Sequence, residues 1–98
     1  MVQNLINANG NPTLNQFVIT VNNSRAVIFQ SYRSSIAKWQ NGKLHLSSRW
    51  DYSNTTSKHL YHFMRQYTPH YVTCKKDVLR LLKRGEIVED LNYDELVV

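Results

Sequence analysis

Cysteine is almost missing from this chain of 98 residues: Cys74 stands alone, so no disulfide can close within it, and a reducing compartment is expected. With three glycines there is no Gly-rich phosphate loop, and with one cysteine no Cys-x-x-Cys pair. A nucleophile elbow is also lacking. No apolar run approaches the roughly 20 residues that span a bilayer, and the start carries no signal-peptide pattern. A soluble, intracellular protein, without membrane contact, is the expectation. The sharpest lack is of acid. Residues 1–50 contain none, and Asp51 is the first, followed only by Asp77 before residue 86. Two-carboxylate chemistry would therefore have to recruit the far end of the chain, and the expectation is a protein that is not an enzyme.

What is present belongs to a single globular domain, with 42% hydrophobic and 19% charged residues. Net charge is +5, but residues 1–85 set twelve bases against two acids, while the last thirteen residues hold Glu86, Glu89, Asp90, Asp94 and Glu95 and no base. A basic body of this kind attracts phosphate or an acidic protein surface.

Residues 1–15 are rich in asparagine, with Gly10 and Pro12, and read as a loosely ordered segment. Alternation then predicts strands over Gln16–Val21 and Ala26–Phe29, the second apolar on both faces and so central. Asn22-Asn23-Ser24 reads as the turn between them. Ser34–Trp39 and Lys43–Ser47 make a hairpin around Asn41-Gly42, which suits a type I′ turn. That register sets Trp39 opposite Leu44, Ala37 opposite Leu46 and Lys38 opposite His45.

From Trp50 onward the period changes. Leu60, Phe63, Met64 and Tyr67 recur at helical spacing, and Pro69 ends that helix. A second helix is expected from Thr73 as N-cap to Arg84, with Val78, Leu81 and Leu82 inward and Gly85 as its stop. Ile87 and Val88 add a short strand, and Leu96-Val97-Val98 is an apolar end. Between sheet and helices lies Trp50-Asp51-Tyr52-Ser53, read as a structural junction. Trp50 and Tyr52 would pin the halves together, Asp51 favours the positive end of the helix, and Ser53 is among the N-cap candidates. The fold class is α+β: a four-stranded, mostly antiparallel sheet over residues 16–47, two helices over 53–85 packed on one face, and an acidic segment over 86–98.

His59 and His62 stand three apart, without the i, i+4 spacing and nearby Cys or carboxylate partners of a zinc helix, so neither a metal nor a cofactor is expected. Cations offer more. Lys76, Arg80, Lys83 and Arg84 form one stripe on the second helix, and Lys58, His62 and Arg65 a shorter one on the first. Arg25, Arg33, Lys38, Lys43 and Arg49 decorate the sheet and its loops, with Tyr32 and Trp39 as stacking partners. Six tyrosines and two tryptophans also exceed what a small core hides. Tyr61, Tyr67, Tyr71 and Tyr93 are expected at least partly exposed, as interface anchors.

Two blocks, Phe29-Gln30-Ser31-Tyr32-x-Ser34-x-Ile36-Ala37 and Trp50-Asp51-Tyr52-Ser53-x-Thr55-Thr56-x-Lys58, resemble a family of short proteins of bacteriophages and prophages of Gram-positive bacteria. The resemblance runs over roughly residues 27–88 and carries no catalytic residue. It implies an accessory protein acting inside a bacterial host. The leading expectation is a steric inhibitor of host defence, of anti-CRISPR or anti-restriction type, whose partner is a host protein or ribonucleoprotein complex. Its contact residues would be Lys58, Tyr61, Arg65, Lys76, Arg80 and Lys83. The alternative is direct DNA or RNA binding through the same charges, and a small nucleic-acid hydrolase comes third.

Overall fold

The computed structural model describes residues 1–7, 9–21 and 25–91. Their order is β1 (Val2–Ile6), β2 (Pro12–Val21), β3 (Ala26–Ser31), β4 (Ser34–Gln40), β5 (Lys43–Ser47), α1 (Asn54–Tyr67), α2 (Lys75–Lys83) and β6 (Ile87–Leu91). The strands form one sheet in sequence order. Neighbours from β1 to β5 are antiparallel, whereas β6 runs parallel to β5 after the two helices cross over. The class is α+β, but with six strands among the described residues rather than the expected four.

Both extra strands arise where the pattern is weak. Residues 1–15, expected to be loosely held, supply β1 and the start of β2. Their asparagines build the turn instead of preventing a strand: the Asn7 side-chain oxygen accepts from the N–H groups of Asn9 and Asn11 at 2.9 and 3.0 Å. In β1 only Leu5 is fully buried, so almost no alternation betrays it. The acidic segment supplies β6, longer than Ile87-Val88 alone. Its acids are exposed but have partners: Glu89 accepts from the buried Trp50 and Asp90 meets His45 at the surface. The segments holding Asn22-Asn23-Ser24, Tyr93, Asp94, Glu95 and Leu96-Val97-Val98 lie outside the described residues.

The β4–β5 hairpin turns at Asn41 and Gly42, both with positive φ (54° and 73°), and pairs Trp39 with Leu44, Lys38 with His45 and Ala37 with Leu46. Central β3 is buried on both sides: Phe29 opposes Val18 and Ala37, while Ile28, one residue back, opposes Ile19. Between β3 and β4 the register slips, so that Ile36 is an extra residue between the pairs Phe29–Ala37 and Gln30–Ser35.

One core joins both helices to the sheet. Leu60, Phe63 and Met64 of α1 and Val78 of α2 pack with Val18, Phe29, Ala37, Leu44, Leu46 and Ile87. Phe63 stacks on Phe29 at 5.6 Å between ring centres, and burying each such side chain contributes about 1.5–3 kcal/mol. Leu81 and Leu82 pack on the rim of this core, half-buried. α1 ends at Tyr67, with Thr68 as C-cap just before Pro69. The N-cap of α2 is Cys74 rather than Thr73, because the Thr73 N–H and hydroxyl both donate to the Asp77 carboxylate (3.1 and 3.2 Å) and hold Thr73 one position outside the helix. At the other end Gly85, with φ 75°, donates to the Leu82 carbonyl and Glu86 to that of Leu81, which closes the helix in a Schellman motif. Among the described residues, no helix is long and apolar enough to cross a membrane.

Candidate functional site

Three turns converge at one end of the sheet. The first is the two-residue link Tyr32-Arg33 between β3 and β4, the second runs from Arg49 to Tyr52 after β5, and the third is the first turn of α1. Together they enclose a cleft of about 750 Å³. Each wall has a local cause. Tyr32 adopts a left-handed backbone (φ 57°), which costs roughly 1–2 kcal/mol for a residue with a side chain. It is held there by its N–H donating to the Asn15 carbonyl at 2.7 Å and by the Gln30 side chain donating to the Tyr32 carbonyl at 2.8 Å. After β5 the Arg49 N–H donates to the Ser47 hydroxyl at 3.0 Å and Trp50 N–H to the Ser47 carbonyl at 3.1 Å, turning the chain sharply. Ser53 then caps α1, its hydroxyl oxygen accepting the Thr56 N–H at 3.1 Å.

The floor is hydroxyl-rich. Ser31 and Thr56, both buried, lie 3.5 Å apart oxygen to oxygen, beside the bulged Ile36. Ser34, Ser53 and Thr55 continue the polar lining. Arg33 and Arg49 supply two guanidiniums, and the Arg49 guanidinium sits 5.7 Å from the centre of the Tyr52 ring. Tyr32 and Tyr52 are 59% and 70% exposed at the mouth, so their rings remain available to a ligand. No carboxylate lines the cleft among the described residues, and the first turn of α1 has no acid either. Cations, rings, hydroxyls and the positive end of a fourteen-residue helix all favour an anion that also carries flat surfaces.

The junction divides. Trp50 is the pin: 2% exposed, it donates its indole N–H to Glu89 of β6 at 2.9 Å. Tyr52 is not; its ring points out into solvent and the cleft, because the turn after β5 buries the alternate residue. Asp51 binds Lys75 at 2.9 Å and so ties the start of α1 to the start of α2. That carboxylate holds the Lys75 ammonium above its ordinary pKa, first by the hydrogen bond and then by charge.

None of the six expected contact residues lines the cleft. Lys58 is exposed on α1. Tyr61 is half-buried against the core. Arg65 is a strut rather than a free cation: its guanidinium donates to the Val72 carbonyl and to His62 Nδ1 (3.3 Å), clasping the segment before α2. Lys76, Arg80 and Lys83 face solvent on α2, with Arg80 3.4 Å from Asp77 and Leu79 exposed among them. Of the tyrosines expected at least partly exposed, Tyr71 is exposed and Tyr67 is half-buried, stacked on Phe63 at 5.1 Å. Trp39 is half-buried, packed on the core and in a T-shaped contact with the His70 ring at 6.2 Å. Among the described residues, no group of three or more His, Cys, Asp or Glu side chains is placed to hold a metal ion.

Tyr32, Arg33 and Arg49 are visible in the sequence as aromatic and basic decorations of the sheet, but their convergence is not. It depends on β3 continuing to Ser31, which turns Tyr32-Arg33 from a linker into a tight hairpin tip.

No curated protein and no solved structure matches the chain. A family model described as a family of unknown function, DUF8033, matches residues 1–80, a span that contains all three turns of the cleft and stops before β6. By that match over most of its length, the chain belongs to the DUF8033 family.

Proposed function

We propose that this chain is a non-enzymatic nucleic-acid-binding protein that holds a phosphate backbone in the cleft between the β3–β4 turn and the start of α1. One observation carries this reading: two arginines and two exposed tyrosine rings share a cleft lined, among the described residues, by hydroxyls and no carboxylate. The basic faces of α2 and of the sheet add a longer-range field that draws a polyanion toward it. Fluorescence anisotropy with labelled oligonucleotides at stepped salt is the test. Each guanidinium on a phosphate of a single strand adds about 0.7 to the slope of log affinity against log salt. Arg33→Glu with Arg49→Glu should abolish binding and leave the circular dichroism spectrum unchanged. Unchanged affinity in that double variant refutes the reading.

A second reading rests on α2, where Leu79 is exposed within the ring of Lys76, Arg80 and Lys83. An apolar anchor surrounded by cations suits an acidic protein surface. With the phage and prophage resemblance, this makes the chain an occluding inhibitor of a host protein or ribonucleoprotein complex in the bacterial cytoplasm. It predicts a complex recovered from host lysate that survives moderate salt and is lost in Leu79→Asp.

A further inference from the structure

We infer that the cleft takes a single strand, not a duplex, and reads it by stacking two bases on Tyr32 and Tyr52; this rests on the nucleic-acid reading above and narrows it. In a duplex the faces of the bases are covered by their neighbours, and only edges and phosphates are open to a protein. Two rings placed at the mouth of a cleft would then be idle. An unpaired strand offers every base as a flat face, and rings bind such faces with little regard to sequence.

The placement fits that use. Tyr32 and Tyr52 stand on two different turns, both lining the same cleft, with 59% and 70% of their surface open. Each is followed or preceded by an arginine of that cleft: Arg33 adjoins Tyr32 in the chain, and Arg49 lies across the face of Tyr52 at 5.7 Å. Ring and cation are thus supplied as two pairs, a pattern matched by a strand in which base and phosphate alternate. The interior, about 750 Å³, lies within the range of pockets that enclose a small organic ligand. The hydroxyls of Ser34, Ser53 and Thr55 can hydrogen-bond sugar or base edges of any sequence. The preference is therefore for strandedness, with weak dependence on base order.

The test uses the full chain with a labelled twelve-nucleotide oligonucleotide, once single-stranded and once annealed to its complement, at fixed salt. The single strand should bind at least tenfold more tightly. Tyr52→Ala and Tyr32→Asn should each weaken single-strand binding about tenfold and leave duplex binding unaltered; asparagine at position 32 tolerates the left-handed backbone. Tyr52→Phe keeps the ring and should bind as the parent does, which separates stacking from loss of the hydroxyl. Equal affinity for both forms, abolished by Arg33→Glu with Arg49→Glu, overturns the single-strand inference and leaves the nucleic-acid reading standing. Absence of binding to either form overturns both, and heparin binding as tight as the single strand replaces the stacked base with a bare polyanion.

Discussion

Trp50 and Glu89 are joined by an indole N–H donating to a carboxylate oxygen at 2.9 Å, across 39 residues of chain. This bond fastens β6 to the turn that carries Arg49 and Tyr52, so the last described strand steadies one wall of the cleft. Because Trp50 is 2% exposed, removing its acceptor strands a polar hydrogen in an apolar setting. Glu89→Ala should therefore cost about 1–2 kcal/mol, read as a lower urea midpoint with unchanged slope. Glu89→Gln, which retains an accepting oxygen, should recover most of the loss.

Ser53 supplies the acceptor for the Thr56 N–H, and its hydroxyl also donates to the Thr56 hydroxyl at 3.1 Å. Ser53→Ala should lower stability by about 1 kcal/mol, whereas Ser53→Asp should retain the cap. The two variants should differ at the cleft as well. The aspartate places a negative charge on its lining and should reduce oligonucleotide affinity, measured by anisotropy, by more than the alanine, which removes one lining hydroxyl and adds no charge.

Among the described residues, three side chains give folding a pH dependence. Burial pulls His59 below its ordinary 6.5, with the Lys58 and His62 charges adding to it, so the folded state resists its protonation. The contribution of His59 is complete above pH 6.5 and is lost as pH falls below that value. Asp77 is held below 3.8, first by the Thr73 N–H, so its contribution persists above 3.8 and is lost at lower pH. Lys75 is raised above 10.5 by Asp51, so its contribution is complete below 10.5 and lost as pH climbs further. Thermal midpoints should therefore peak between the His59 and Lys75 limits. His59→Gln should flatten the decline that begins below 6.5, and Asp51→Asn should flatten the alkaline one.

The sequence is most legible where side-chain spacing and backbone demand agree. The β4–β5 register could be read because Asn41-Gly42 fixes the turn and Trp39, Ala37, Leu44 and Leu46 sort to one face. α1 could be read because Leu60, Phe63 and Met64 are all core residues. Edge strands are less legible: β1 buries Leu5 alone and shows no strand pattern, and of β6, which buries Ile87 alone, only Ile87-Val88 could be read, because pairing with a neighbour defines these strands rather than their own pattern. The cleft escaped for a related reason. The Ile36 bulge offsets the alternation of β4, so Ser34 and Ile36 both reach a site that strict parity with Ala37 would not assign to them. Arg65 misled because a basic residue at a helical spacing looks solvated, while here it satisfies a backbone carbonyl.

The parallel seating of β6 on β5 also shapes how the molecule assembles. Five antiparallel strands can zip up in succession through short connections, each step closing little chain. The sixth can dock only after both helices have traversed the sheet, a closure that is slow because it joins distant parts of the chain. The Arg49–Tyr52 wall should therefore be the last part of the cleft to become rigid, and the first to loosen when the fold begins to open.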